Sequence, residues 1–247
     1  MPITGEASIK DNGCQIEELA MLTPTTHRAD PVKILTMRQL PFVNGYRLTE
    51  TGEFMGASMS FRRNAEIYGE GEPADYLYKM VSGTARTYKV LSDGRRQIGG
   101  FYLPGDILGL ETTEEHSFSA EAISGCKALL IKRSALVALA ERQDEIARQM
   151  WSLIGEELRR VQDHNLLLIK SAQERVAAFL LEMAERISTD NAVELPMSRQ
   201  DIADYLGLTI ETVSRTLTQL ERLAAIQVSS SRRIVLRNRS ALNQLNS

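Results

Sequence analysis

The sequence predicts an α+β protein: a small antiparallel β-barrel or roll, then a long amphipathic helix, then a C-terminal winged helix-turn-helix. Three observations carry this expectation. Between Ala57 and Ile131, short β-rich runs are punctuated by regularly placed glycines. From about Glu145, apolar residues recur at three- or four-residue intervals. From Ser198 to Leu220, two short helical patterns flank Gly207. The 247 residues suffice for two small domains, and an apolar content of 43% allows a packed core without disulfides.

Taken in order, residues 1–40 are polar and irregular, with Pro24 and Pro31 and short helical pieces around 16–22, and are expected to form a mobile tail. Residues 41–140 hold the β-rich domain. Its runs are Tyr76–Val81, Ala85–Leu91 and Gln97–Leu103, and Asp93-Gly94 between the last two is a hairpin signal. Barrels of this kind hold a ligand or are filled by side chains, and the runs themselves favour neither. Residues 141–170 form the long helix, with a helical pattern already beginning at Ser134–Ala140. Its seam is Ile146, Met150, Ile154, Leu158, Val161 and Leu168, near a heptad repeat and suited to packing on the barrel or on a second copy. A helix of about 24 residues spans roughly 36 Å. His164 is expected to be a partly solvated helix residue.

Residues 171–247 make the last domain. Ala172–Ile187 is amphipathic, with Val176, Phe179, Leu180, Met183 and Ile187 on one side, fit to pack behind the helix-turn-helix; Ser188–Glu194 is expected to be a polar loop. Ser198 can cap the next helix, with Asp201 reaching back as in a capping box. Ile202, Ala203 and Leu206 are its buried stripe, and Gly207 ends it in a left-handed conformation. Leu208 plugs the turn, Thr209 caps the second helix, and Val213, Leu217 and Leu220 are that helix's buried stripe. Its other face carries Ile210, Glu211, Ser214 and Arg215 at the end that enters the major groove in such motifs. There arginine can bond guanine bidentately and glutamate can accept from a base amino group. The plainer reading is a solvated Glu211–Arg215 ion pair. After Leu223, Ile226–Val228 and Arg233–Leu236 flank a Ser/Arg tip, a wing whose Arg232 and Arg233 suit phosphate contact.

Charge distribution favours the DNA reading. From Ser198 onward seven basic residues face four acidic ones, whereas 22 basic and 28 acidic residues precede them; a −6 portion is followed by a +3 one. Two cysteines, Cys14 and Cys126, are too few for a secreted disulfide framework. No apolar leader and no membrane-length apolar run is present, so a cytoplasmic protein without membrane contact is expected. The β-rich part offers neither a His/Asp/Glu metal spacing nor a nucleophile–base pair. An enzyme is therefore not expected, and there is neither a catalytic residue nor a metal site to name.

The order of roll, seam helix and winged helix-turn-helix resembles the Crp/Fnr superfamily of bacterial transcription regulators. The resemblance runs from about Ala57 to the C-terminus. It is carried by Ile67-Tyr68-Gly69-Glu70-Gly71-Glu72, Val81-Ser82-Gly83, Leu103-Pro104-Gly105-Asp106-Ile107-Leu108-Gly109 and Ser198-Arg199-Gln200-Asp201-Ile202-Ala203. Glu211-Thr212-Val213-Ser214-Arg215 is similar to an Fnr-type recognition helix, and the chain most resembles the FixK-type branch. That resemblance implies an antiparallel β-roll (a double-stranded β-helix), a dimerisation helix, and a homodimer on double-stranded DNA at a TTGA-N6-TCAA-type palindrome. It makes Glu211, Ser214, Arg215 and Ile210 the base readers. It places Ser198, Arg199, Gln200, Thr209 and Thr212, with the wing's Arg232 and Arg233, on the DNA backbone. It also implies RNA polymerase contacts at 93–97 and 188–194, a role as an activator in low-oxygen and nitrogen-fixation gene control, and no cofactor.

Family ligands are disfavoured residue by residue. Cyclic-nucleotide binders of the family carry an arginine after the position of Gly109, but residues 111–118 hold three acids and no arginine. A [4Fe–4S] cluster needs four thiolates and the chain has two cysteines, which leaves Cys126 as a core residue and Cys14 inert. His116 is the single histidine of the roll, a weak basis for haem. The alternative is a regulator gated by an unidentified small molecule in the roll.

Overall fold

The computed structural model describes residues 57–189 and 191–245. The expected tail at 1–40, with Cys14 and the helical pieces at 16–22, lies outside the described residues. Eight strands build the roll: β1 (Ala57–Phe61), β2 (Glu66–Tyr68), β3 (Tyr76–Ser82), β4 (Ala85–Val90), β5 (Arg96–Tyr102), β6 (Ile107–Leu108), β7 (Ser119–Ala122) and β8 (Cys126–Lys132). They form two antiparallel sheets, ordered β1-β8-β3-β6 and β2-β7-β4-β5. The inner faces meet in a core of Phe61, Tyr68, Tyr78, Met80, Tyr102 and Leu108, with small Ala85, Ala120, Ala122 and Ala128 between them. Cys126 lies in this core, and burial raises its thiol pKa to about 11, so it is a packing residue.

The β4–β5 hairpin turns at Asp93-Gly94 as expected, with Gly94 at φ +83° and its N–H donating to the Leu91 carbonyl. Gly83, between β3 and β4, is required twice over. Its φ is +76°, and a Cβ would lie 2.3 Å from the Gly125 carbonyl oxygen.

Helix α1 (Arg133–Ala140) leads into α2 (Asp144–Leu168), 25 residues long. The first turns of α2 pack on the chain's own roll: Ile146 is buried with Leu77, Ile107, Ile131 and Leu136, and Met150 and Leu153 pack beside them. This corrects the expected seam, because Ile146 has no surface left for a second copy and Met150 is partly covered. The exposed apolar face begins instead at Trp151, 75% exposed, and continues through Ile154, Leu158 and Val161.

Helix α3 (Ala172–Ile187) buries Val176, Phe179, Leu180 and Met183 behind the helix-turn-helix, as its periodicity requires. The stretch after it is not a plain loop. Strands β9 (Ser188–Thr189) and β10 (Ala192–Glu194) form a hairpin around Asn191 at φ +62°, and β10 joins the wing strands β11 (Ile226–Val228) and β12 (Arg233–Leu236) in one sheet ordered β11-β12-β10-β9. The cause is the alternation Val193, Leu195, Met197, all buried, which has period two and not that of a solvated loop. Helices α4 (Arg199–Leu206) and α5 (Ile210–Arg222) are the helix-turn-helix, and an unforeseen short helix α6 (Arg239–Leu245) closes the domain through buried Leu242. No described helix is long and apolar enough to cross a membrane.

Replacing Gly83 by alanine is expected to cost about 2 kcal/mol or more, from positive φ combined with a backbone clash. Urea unfolding of the purified variant checks this.

Candidate nucleic-acid interface

The reading head is assembled by its caps. At the start of α4, Ser198 Oγ accepts from the Asp201 N–H at 3.1 Å, while Asp201 Oδ2 accepts from the Ser198 N–H at 2.9 Å and from its hydroxyl at 2.8 Å. The capping box is therefore complete, and such caps contribute about 1 kcal/mol. Gly207, at φ +61° and ψ +39°, ends α4, and the Leu208 N–H returns to the Ala203 carbonyl at 2.9 Å. Thr209 then caps α5 by accepting from the Thr212 N–H at 3.2 Å, with the two hydroxyls 3.1 Å apart. Val213, Thr216, Leu217 and Leu220 bury one face of α5, which orients the opposite face outward.

Ile210, Glu211 and Arg215 are exposed at the N-terminal end of that outward face. The Glu211–Arg215 ion pair of the plainer reading is not among the described ion pairs; Arg215 Nε instead approaches the Glu211 backbone carbonyl at 3.4 Å. The Glu211 carboxyl is held below the ordinary glutamate range, first by its own backbone N–H, then by the Thr209 hydroxyl and the Arg215 charge. It is thus an ionised acceptor at neutral pH, suited to a base amino group. Ser214 is partly buried, and its hydroxyl accepts from Arg199 Nη1 at 3.3 Å, so these two expected contact residues meet each other across the motif.

The backbone-contact candidates are less uniform. Ser198 engages its hydroxyl in the cap, and Gln200 donates to Asp204 Oδ1 at 2.6 Å. Arg232 and Arg233 stand at the wing tip, where both backbone N–H groups donate to Ser230 Oγ, at 3.3 and 3.0 Å. Arg233 is exposed and Arg232 partly so.

Three features of the site carried no local signal. Arg237, beside the wing, donates to the Gln227 side chain. The tip of the β4–β5 hairpin is only partly free: Arg96 pairs with Asp204 and Asp201, each at 2.7 Å, and Gln97 Nε2 donates to the Tyr205 carbonyl at 3.3 Å. Both residues face α4, which leaves Asp93–Arg95 as the exposed part of the 93–97 segment. Lastly, His164 of α2 stacks on Tyr205 with ring centroids 4.2 Å apart, and Tyr205 in turn touches Phe101 and Phe179. His164 is therefore half-buried packing between α2 and α4, and burial lowers its pKa.

Between the roll and α2 lies a cavity of about 450 Å³, lined by Tyr68, Thr87, Tyr102, Glu111, Glu157 and His164 among others. Its charged lining groups are the two carboxylates. His116 is buried and stacked on Tyr68, with ring centroids 3.6 Å apart.

Because His164 is disfavoured as a cation in the fold, the unfolded chain binds more protons near pH 6. Stability contributed by its neutral form is present above the ordinary histidine pKa and lost as pH falls below it. His164→Phe, which keeps a ring on Tyr205, should make the fall of the urea midpoint between about pH 7 and about pH 5.5 shallower.

Comparison with known proteins places this geometry. Residues 174–245 match the Crp-like helix-turn-helix domain family, and residues 58–143 the cyclic nucleotide-binding domain family. The nitrogen fixation regulation protein FixK of Azorhizobium caulinodans is 53% identical over 199 residues, covering 78% of this chain and 80% of that protein. FixK of Bradyrhizobium diazoefficiens is 40% identical over 215 residues, 85% and 90% of the two chains. The solved structure of FixK2 from Bradyrhizobium japonicum superposes with a TM-score of 0.76 at 51% identity, covering 78% of this chain and 98% of that one. The chain belongs to the Crp/Fnr family of DNA-binding transcription regulators, in its FixK-type branch.

Proposed function

We propose that two copies of the chain pair along α2 and bind a TTGA-N6-TCAA-type palindrome, activating transcription by contact with RNA polymerase in low-oxygen gene control. The observation that carries the reading is the exposed start of α5, where Glu211 and Arg215 are open to solvent and Arg215 approaches the Glu211 backbone carbonyl, leaving the Glu211 carboxylate outside the described ion pairs. A two-fold axis along α2 sets two such helices in major grooves about 34 Å apart. Arg215 reads guanine, Glu211 a cytosine or adenine amino group, and Ser214, held by Arg199, a thymine or phosphate. Ile210 lies against the same base edges. Arg232 and Arg233 of the wing, with the α4 and α5 starts, bind phosphates.

Pairing is supported by the exposed apolar face of α2. Trp151, Leu158 and Asn165 fall seven residues apart, and Ile154, Val161 and Leu168 do the same three residues later, which is a heptad seam. Asn165 then occupies a core position of the kind where a buried Asn–Asn pair fixes parallel register. Asp93–Arg95 and the β9–β10 hairpin are the surfaces assigned to polymerase. Named relatives regulate nitrogen fixation, which supports the physiological setting.

The dimer is proposed to act in the cytoplasm without a resident cofactor. Glu111 and Glu157 in the cavity oppose an anionic phosphate, and Cys126 is committed to the core. The cavity itself favours one rival, a regulator gated by a small uncharged or cationic ligand. A gel shift separates them: specific binding by purified protein with nothing added supports the cofactor-free reading, and binding that requires cell extract supports the rival.

Arg215→Ala is expected to lose about 1–3 kcal/mol per half-site and to relax selection at one base pair. Arg233→Ala should weaken all sequences alike and reduce the salt slope by about one. Binding selections over randomised sites at two salt concentrations measure both. Leu158→Glu places like charges on the seam and should shift sedimentation to the monomer, with palindrome binding lost in parallel.

A further inference from the structure

Helix α4 is fastened to the β-roll by a group of charges that base reading does not explain. Arg86 of β4 donates to Asp201 Oδ1 at 2.5 Å, and through its other nitrogen to Glu121 of β7 at 3.1 Å. Arg96 of β5 reaches the same Asp201 oxygen and Asp204 Oδ2, each at 2.7 Å. We propose that Arg86 and Arg96 are positioning residues for DNA recognition, holding α4 on the roll and so fixing the angle at which each protomer's α5 meets its half-site. The inference rests on the palindrome reading above.

Four observations support it. The pairs are sheltered, with the Asp201 side chain 5% exposed and Arg86 11%, so salt screens them weakly. Burial alone would lower the Arg96 pKa, yet Asp204 and Asp201 outweigh it and raise it, so the pairing is favourable in place. Arg86 is held from both sides, by Glu121 within the roll and Asp201 beyond it, which gives the clamp a rigid base. Neutral contacts continue the same junction, from Gln97 to the Tyr205 carbonyl and from His164 to the Tyr205 ring.

The clamp also leaves the reading surface open. Ile210, Glu211 and Arg215 are exposed while it is closed. Its effect is therefore on where the head points and not on which bases it reads. Two linked heads gain affinity only if both reach their half-sites at once, and a head free to swivel loses that advantage while tolerating altered spacing.

Arg96 is the residue to change, because Arg86→Met would also strip Glu121 of its partner and Asp201 belongs to the capping box. Full-length wild type, Arg96→Met, Arg96→Lys, Asp204→Asn and the Arg96→Met/Asp204→Asn pair are titrated by fluorescence anisotropy. The probes are a single half-site and palindromes with spacers of five, six or seven base pairs. Urea unfolding and sedimentation confirm that each variant is folded and dimeric.

Wild type is expected to prefer one spacer. Arg96→Met should bind that palindrome about tenfold more weakly, bind the single half-site as wild type does, and lose its preference among spacers. Arg96→Lys, which keeps the charge without the fork, should fall between the two, and the double variant should lose less than the sum of the single ones. An unchanged spacer profile in Arg96→Met overturns the inference, as does an equal loss on half-site and palindrome, which would make the clamp a stabilising contact only. A wild type that fails to select any palindrome overturns the palindrome reading and the inference with it.

Discussion

The carboxylate of Asp201 holds three parts of the molecule in one place. One oxygen closes the capping box with Ser198 and so starts α4; the other accepts from Arg86 and Arg96 of the roll. A buried carboxylate is costly when its partners are incomplete, and here the bonds given by a backbone N–H, a hydroxyl and two guanidinium groups compensate its loss of water. Because one side chain serves both the helix start and the domain junction, the register of α4 and its attachment to the roll are set together. The turn at Gly207 then passes that placement to α5, whose buried face leaves its polar end outward.

Helix α2 divides its length among different neighbours. Ile146 and Met150 belong to the roll, Trp151 to Val161 are left apolar and open, and His164 stacks against the helix-turn-helix. A single helix therefore lines the cavity, carries the exposed apolar face and touches α4 of the helix-turn-helix. Its lower turns are fixed by burial and cannot slide without exposing Ile146. Any change in the seam must accordingly be taken up near His164, which is half-buried and stacks on the buried Tyr205 ring.

Where the controlling contacts are local, the sequence is readable to within a residue or two. The Ser198 cap, the Gly207 stop, the Thr209 cap and the stripe Val213, Leu217, Leu220 depend on neighbours within one turn, and all are as expected. The Asp93-Gly94 hairpin and the placement of Cys126 in the core are of the same kind. Residues 188–194 differ from the expected loop because Ser, Asp and Asn outvote the short Val193, Leu195, Met197 alternation, whose partner strand β12 lies some forty residues later. The expected seam runs one residue too far, to Ile146, because period alone cannot say which of two apolar surfaces a helix faces. The Arg86 and Arg96 pairs, 115 and 105 residues from Asp201, leave no local trace at all.

The same distinction separates the local features that display the outward face of α5 from the long-range contacts that place it. The face of α5 proposed to read bases, Ile210 to Arg215, needs only caps and a buried stripe to be displayed. Where α5 stands depends on long-range charge pairs between the roll and α4 and on the open seam of α2. On the proposed reading a chain can therefore retain a half-site preference while its junction residues change, and the junction is where α4 meets the roll. The cavity lies beside that route: Gln97 and His164 line it and both touch Tyr205, so an occupant that displaced either would act on α4 directly and on the reading face only through it.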